Sequence, residues 1–158
     1  MKFQTIAIHG HGGPDPAYGA VMTPIYQTST FAFKGILEPG KFDYSRSGNP
    51  TRKALEDTIA ALEGGTAGFA FGTGMAAEAT LLASFSAGDH ILVHDDLYGG
   101  TYRLLTSVVA KHGIEVEFVN MRCLDSLKAA FKPNTRALWT ETPTNPLMNL
   151  LDLKAISD

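Results

Sequence analysis

The chain has 158 residues, 44% of them hydrophobic, enough for one domain that buries its own core without metal or disulfide staples. Thirteen basic against sixteen acidic side chains leave a formal charge of -3 with no basic run, which speaks against nucleic acid or an anionic membrane as partner. Cys123 is the only cysteine, which excludes an internal disulfide framework and points to a reducing, cytoplasmic compartment. The N-terminus lacks the build of a signal peptide, and no apolar run approaches the roughly 20 residues that span a bilayer.

Residues 1–48 are rich in Gly, Pro, Ser, Thr and Tyr and hold no sustained helical period, so they read as an irregular N-terminal arm with at most a short strand or a turn of helix. From Asn49 the text becomes regular. Asn49 caps a helix, Pro50 suits its first turn, and Gly64-Gly65 marks its end. Leu55, Ile59 and Leu62 predict one buried stripe on it. A short apolar strand, Ala67 to Phe71, leads through Gly72-Thr73-Gly74-Met75 into an alanine-rich helix ending near Gly88. A strand over His90–His94 follows, with His90 and His94 at its flanks, then Asp95-Asp96-Leu97-Tyr98-Gly99-Gly100 and a helix over 101–112. Glu115–Val119 predicts a third strand, Leu124–Phe131 a helix, and Arg136–Glu141 a fourth strand with Trp139 in the core. Residues 152–158 open a last helix. This β-α-β-α-β-α-β order predicts an α/β fold: a mostly parallel sheet with helices on both faces. The predicted organisation is an arm over 1–48 and the first part of a larger domain over 49–158.

In such sheets ligands sit at the carboxyl ends of strands, and three of these ends carry suggestive residues. Gly72-Thr73-Gly74-Met75 opens a helix whose free N–H groups suit a phosphate; a plain tight turn is the bland alternative. Gly72-x-Gly74-x-x-Ala77, with Asp95 and Asp96 after the next strand, also fits the dinucleotide fingerprint of a nicotinamide enzyme. Tyr98 beside Gly99 and Gly100 can lay its ring on a planar ligand, though a surface turn would use the same residues. In Glu141-Thr142-Pro143-Thr144-Asn145-Pro146, two prolines stiffen a loop from which Glu141 and Asn145 can address a polar edge, or which serves merely as a connector. The arm adds Asp43-Tyr44-Ser45-Arg46-Ser47-Gly48-Asn49-Pro50, where Tyr44 and the guanidinium fork of Arg46 match a phosphate in this subunit or a neighbour. His9 and His11 lack the further ligands of a metal site, so no metal is expected. Cys123 reads as a buried, inert thiol.

Taken in order, Pro24-Ile25-Tyr26-Gln27-Thr28-Ser29-Thr30-Phe31, Tyr44-Ser45-Arg46-Ser47-Gly48-Asn49-Pro50-Thr51, Tyr98-Gly99-Gly100-Thr101 and Glu141-Thr142-Pro143-Thr144-Asn145-Pro146 resemble the Cys/Met-metabolism family of pyridoxal-phosphate enzymes, from about Thr5 to the last residue. The nicotinamide alternative explains only the first glycine turn. The resemblance implies an aspartate-aminotransferase-like (fold type I) architecture, pyridoxal 5'-phosphate as cofactor, small amino-acid substrates, and a homo-oligomer of paired dimers whose sites are shared across the subunit interface. It implies that Gly74 and Met75 give N–H groups to the cofactor phosphate, and that Tyr44 and Arg46 reach the phosphate of the neighbouring subunit. Tyr98 would stack on the pyridine ring and help move protons, and Asn145 would bond the ring's phenolic oxygen. Asp43, Arg103 and Glu141 are candidates for the substrate side. Asp43 and Arg103 resemble the cystathionine γ-synthase and γ-lyase branch, the aspartate leaning to the synthase; Gly99-Gly100 departs from the Tyr-Gly-Cys string of methionine γ-lyases. The family's Ser-Ala-Thr-Lys-type string, which carries the lysine that holds the cofactor, does not occur, and none of the eight lysines takes its place. The segment by itself is therefore expected to be inactive.

Overall fold

A computed structural model describes residues 2–10 and 12–158 and divides the chain into two compact units, which meet in sequence at Ala70 and Phe71. The first unit holds two helices. α1 (Phe3–His9) ends at Gly10, whose φ of 71° a side chain would oppose. α2 (Pro50–Glu63) starts as its sequence demands: the Asn49 side chain accepts the Thr51 N–H at 2.8 Å, and Pro50 fills a position that needs no donor. Gly64, at φ 67°, closes it. Two stretches of the arm pair antiparallel around a Thr30–Tyr44 bridge, with Phe31 N–H to Asp43 O and Ser45 N–H to Ser29 O both at 2.9 Å.

Two expectations fail in this unit. The stripe on α2 is not buried: Leu55 and Ile59 stay about half exposed and only Ala60 is buried, because α1 and the arm are too small to cover it. Residues 67–71 form no strand. There the backbone runs against α2, so close that a Cβ on Gly68 would lie 2.4 Å from the Glu56 carbonyl oxygen, and the Ala70 N–H goes to the Glu56 carboxylate at 3.1 Å instead of to a ladder. His9 is exposed, and His11 lies outside the described residues.

The second unit begins with α3 (Gly74–Leu82), which stops well short of Gly88. β1 (His90–His94) leads to α4 (Gly99–Ser107), and a separate 3-10 turn (Val109–His112) replaces the expected continuation to residue 112. β2 (Glu115–Val119), α5 (Leu124–Ala130), β3 (Thr135–Trp139) and α6 (Leu153–Ser157) follow. Among the described residues the sheet has three strands in the order β2-β1-β3, all parallel, with Val93 level with Phe118 and Trp139.

β1 is central, so its alternating side chains supply two cores. Ile91 and Val93 pack with Leu82, Leu97, Leu105, Val109 and Ile114 beneath α3 and α4, with Trp139 partly buried against them. Leu92 packs on the opposite face with Met121 and Leu127, near Ile156 of α6. His90 and His94, the first and last residues of β1, are themselves buried. Cys123 corrects its expectation: it is exposed, and a hydrogen bond from Ser126 at the start of α5 holds its thiol below the usual range. Among the described residues no helix is long and apolar enough to cross a membrane.

Candidate functional site

The chemistry-bearing residues of the second unit stand at the start of α3 and on the loops that follow β1 and β3. Thr73 caps α3: its hydroxyl accepts the Ala76 N–H at 3.0 Å and its carbonyl the Ala77 N–H at 3.2 Å. Gly74 and Met75 precede these bonds, so their N–H groups are among the donors that a helix start leaves without intrahelical acceptors. A Cβ on Gly72, Gly74 or Gly99 would meet nothing within 4 Å, so open space lies in front of this helix start and of α4.

Tyr98 stands just before α4 with its ring folded over Gly100. A Cβ at Gly100 would lie 2.4 Å from the ring's Cε1 and 3.1 Å from Met75 Sδ. Ring, thioether and the two helix starts therefore converge on one point that only glycine leaves free. Thr101, buried, fastens α4 to α3 by donating to Glu78 Oε2 at 2.8 Å. The ring remains 47% exposed, so it keeps surface for a planar partner. Arg103 lies one turn further on, exposed, its Nε donating to Gly99 O at 3.3 Å.

The loop after β3 meets the loop after β1 directly. β3 ends at Trp139, two residues earlier than the sequence suggests, and Glu141 turns to Tyr98. Glu141 Oε2 accepts the Tyr98 N–H at 2.9 Å, so one of its oxygens serves the backbone. Thr144, fully buried, donates its hydroxyl to the buried Asp96 carboxylate. Asp96 also accepts from Asn149 Nδ2 at 3.0 Å. Asn145, next to Thr144, is exposed. Asp96 is thus committed to protein donors and is not presented to a ribose, which removes one of the acids that the dinucleotide fingerprint would need. Neither Thr144 nor Asn149 stood out in the sequence; the signal available was two hydroxyls flanking Pro143, which is weak.

The arm's candidates lie in the first unit and form their own cluster. Arg46 donates to the Tyr44 hydroxyl at 2.9 Å and its guanidinium carbon is 5.2 Å from the Tyr44 ring centre, both side chains being exposed. Asp43 Oδ1 accepts the Tyr44 N–H at 2.7 Å and the Ser47 hydroxyl at 3.1 Å, so this carboxylate shapes the loop. Arg52 was missed. From α2 it donates to the carbonyls of Ser45, Arg46 and Ser47 at 3.0–3.3 Å while pairing with Glu56 at 3.4 Å, and it thereby fixes the backbone that carries Arg46. Among the described residues no group of three or more His, Cys, Asp or Glu is placed to hold a metal ion.

Comparison with known proteins gives the arrangement its context. Residues 4–158 match the family model described as Cys/Met metabolism PLP-dependent enzyme. The chain is 54% identical over 156 residues to the cystathionine beta-lyase of Lactococcus lactis subsp. cremoris (strain MG1363), covering 99% of this chain and 41% of that protein. It is 46% identical over 155 residues to a probable cystathionine gamma-synthase of Herpetosiphon aurantiacus, covering 98% and 49% respectively. The crystal structure of cystathionine gamma-lyase from Lactobacillus plantarum complexed with L-serine superimposes with a TM-score of 0.92 at 48% identity, over 99% of this chain and 41% of that one. The chain spans between two fifths and half the length of these relatives.

Proposed function

The chain belongs to the Cys/Met metabolism family of PLP-dependent enzymes, and on that premise we propose that it supplies half of the cofactor site of an enzyme that makes or breaks a carbon–sulfur bond of cystathionine. Its fold is the type I architecture of that family, and its cofactor is pyridoxal 5'-phosphate. The residues present fit such a group. Gly74 and Met75 open α3, where N–H groups have no intrahelical acceptors, and a Cβ on Gly74 would meet nothing within 4 Å, which suits a phosphate. The Tyr98 ring, braced from beneath by Gly100 and Met75, offers a flat face, and Asn145 offers an exposed amide beside a buried anchor.

In this reading Gly74 and Met75 hold the phosphate, Tyr98 stacks on the ring and moves a proton through its hydroxyl, and Asn145 donates to the ring's phenolic oxygen. Tyr44 and Arg46 serve the phosphate of a neighbouring subunit, so the working form is a homo-oligomer built from dimers; the uncovered apolar face of α2 supports such burial. The cofactor, when bound, supplies an electron sink for carbanions at the substrate's α- and β-carbons. Glu141, by holding the Tyr98 N–H, keeps the tyrosine hydroxyl at a fixed height for proton transfer. The single observation that carries the reading is the convergence of Met75, Gly100 and the Tyr98 ring at the start of two helices.

Within the family we propose cystathionine γ-synthase activity, γ-replacement on an activated homoserine ester by cysteine, on the strength of Arg103 one helical turn beyond Tyr98. Cystathionine lyase activity is the second reading, favoured by the 54% identity to a cystathionine beta-lyase. The loop bonds of Asp43 weaken the lean it gives to the synthase. The complete enzyme, loaded with pyridoxal 5'-phosphate, is tested with an O-acylhomoserine plus cysteine and, separately, with cystathionine. Cystathionine formation supports the synthase. Pyruvate release marks β-cleavage and 2-oxobutyrate γ-cleavage. None of the three products, or no violet-absorbing bound cofactor, refutes the proposal. The 158-residue chain alone is expected to be inactive in all three assays, as it holds no lysine in a Ser-x-Thr-Lys-type string. A cytoplasmic location is part of the same proposal.

A further inference from the structure

Two carboxylates tie the loops after β1 and β3 together, in opposite senses. Asp96, on the first loop, takes donors from Thr144 and Asn149 on the second. Glu141, on the second, takes the Tyr98 N–H of the first at 2.9 Å. Asp96 is 8% exposed and Thr144 not at all, so this carboxylate has little water to fall back on and must be met by protein donors. Both functions of the Thr144 hydroxyl are used: it donates to Asp96 and accepts the Asn149 N–H at 2.8 Å. The Thr144 N–H returns to Asn149 O at 2.9 Å, which closes residues 144–149 into one turn. From the loop after β2, Arg122 donates to Asn149 Oδ1 at 2.7 Å and so turns the amide's NH2 toward Asp96. Three strand-end loops share the part of this network formed by Asp96, Arg122, Thr144 and Asn149, and that part contains none of the residues proposed to touch a ligand.

We infer that Asp96 and Thr144 are positioning residues: their clasp sets the offset between the Tyr98 ring and the Asn145 amide, and thus the two contacts proposed for the cofactor's aromatic ring. The inference rests on that reading of the site. Asp96 lies two residues before Tyr98 and Thr144 one before Asn145, so the clasp joins the two loops next to both groups. Loop ends that are free to slide would offer the same side chains at varying separations, and a rigid ring would lose one contact to keep the other.

The test is a cycle in the complete apoenzyme titrated with pyridoxal 5'-phosphate, reading the dissociation constant and the induced circular dichroism of the bound cofactor. Thr144→Val keeps the shape and removes the hydroxyl. It is expected to weaken binding on the order of tenfold, equivalent to about 1.4 kcal/mol, and to change the dichroism. Thr144→Ser, which restores the hydroxyl, is expected to recover most of the loss. Asn145→Ala is expected to weaken binding by a similar factor, and Thr144→Val added to it to weaken it no further, since the clasp acts through Asn145. Should Thr144→Val fail to fold, Arg122→Met, at an exposed position, takes its place in the same cycle. Losses that multiply in the double variant, an unaffected Asn145→Ala, or a Thr144→Val as tight as wild type each overturn the inference alone. A wild-type protein that binds no pyridoxal 5'-phosphate overturns the proposed function and this inference together.

Discussion

Gly100→Ala isolates the contact on which the site depends. The new methyl carbon would sit 2.4 Å from Tyr98 Cε1 and 3.0 Å from Cδ1, more than an ångström inside the ordinary carbon–carbon separation of about 3.5–4.0 Å at the first atom. Overpacking of this kind costs about 1–3 kcal/mol. Against it stands the helical preference of alanine over glycine, at most about 1 kcal/mol and less in a first turn. The clash wins, unless the half-exposed ring swings outward, in which case stability is spared and the ring leaves its place. Gly99→Ala is the matched control: it is the adjacent glycine in the same helix turn, but its Cβ meets nothing within 4 Å, so it is expected to be neutral or slightly stabilising. Denaturant unfolding of the cofactor-free protein separates the two without ligand stabilisation entering. A cofactor titration then detects a displaced ring, and Tyr98→Ala in the same background should relieve the cost. A Gly100→Ala protein as stable as Gly99→Ala and equally tight for cofactor would refute the proposed packing.

Arg52→Met removes three carbonyl bonds from the loop of Arg46 and is expected to speed amide exchange over residues 45–48 on the order of tenfold, as a loss of about 1.4 kcal/mol of local protection would. Arg46→Ala in the complete enzyme should weaken cofactor retention, with Arg46→Lys recovering it only in part, because an ammonium cannot replace a forked donor; unchanged retention would remove Arg46 from the site. Lys132 donates to Glu117 at 2.8 Å and holds its carboxyl below the ordinary 4.5. A folded value below the unfolded one means that this stabilisation is present above about pH 4.5 and disappears as pH falls through the lower folded value. Lys132→Met should therefore flatten the acid limb of a stability–pH profile.

The architecture was readable wherever burial imposes a period. β1 and β2 fall on the predicted residues because a strand covered on both faces is apolar throughout or bounded by sharp turns, and α2 follows from the Asn49-Pro50 start and the Gly64 stop. The failures share one cause. Phe69 and Phe71 give a strand-like pattern to a segment with no strand beside it, and Leu55 and Ile59 give a buried stripe to a helix with little to cover it. A pattern states what a segment can do, not whether its partner is in reach. Site residues that touch a ligand stood out through unusual neighbours: glycines at Tyr98, a serine-arginine run at Arg46. Those that hold them did not, because Asp96 meets Thr144 across 48 positions and Asn149 across 53, and no local rule spans such a separation.

Charge supports the part proposed for Arg46 of the first unit. In the second unit Asp96, Glu141 and Glu78 each accept from protein donors, and Arg122 is committed to Asn149. A helix start contributes only about half a positive charge, whereas a bound phosphate carries roughly -1.5 to -2. The N–H groups proposed to hold it at Gly74 and Met75 would by themselves leave it under-compensated. Arg46 in the first unit is the mirror case. It is exposed, it is bonded to a neutral tyrosine hydroxyl, and its loop is pinned at three carbonyls, so it is a positive charge held in place with no ion-pair partner among the described residues. Holding a solvated guanidinium that firmly costs side-chain entropy and gains little within the chain. The arrangement makes physical sense when the guanidinium meets an anion from outside its own loop, which is why the role proposed for Arg46 toward a cofactor phosphate is the one to test first.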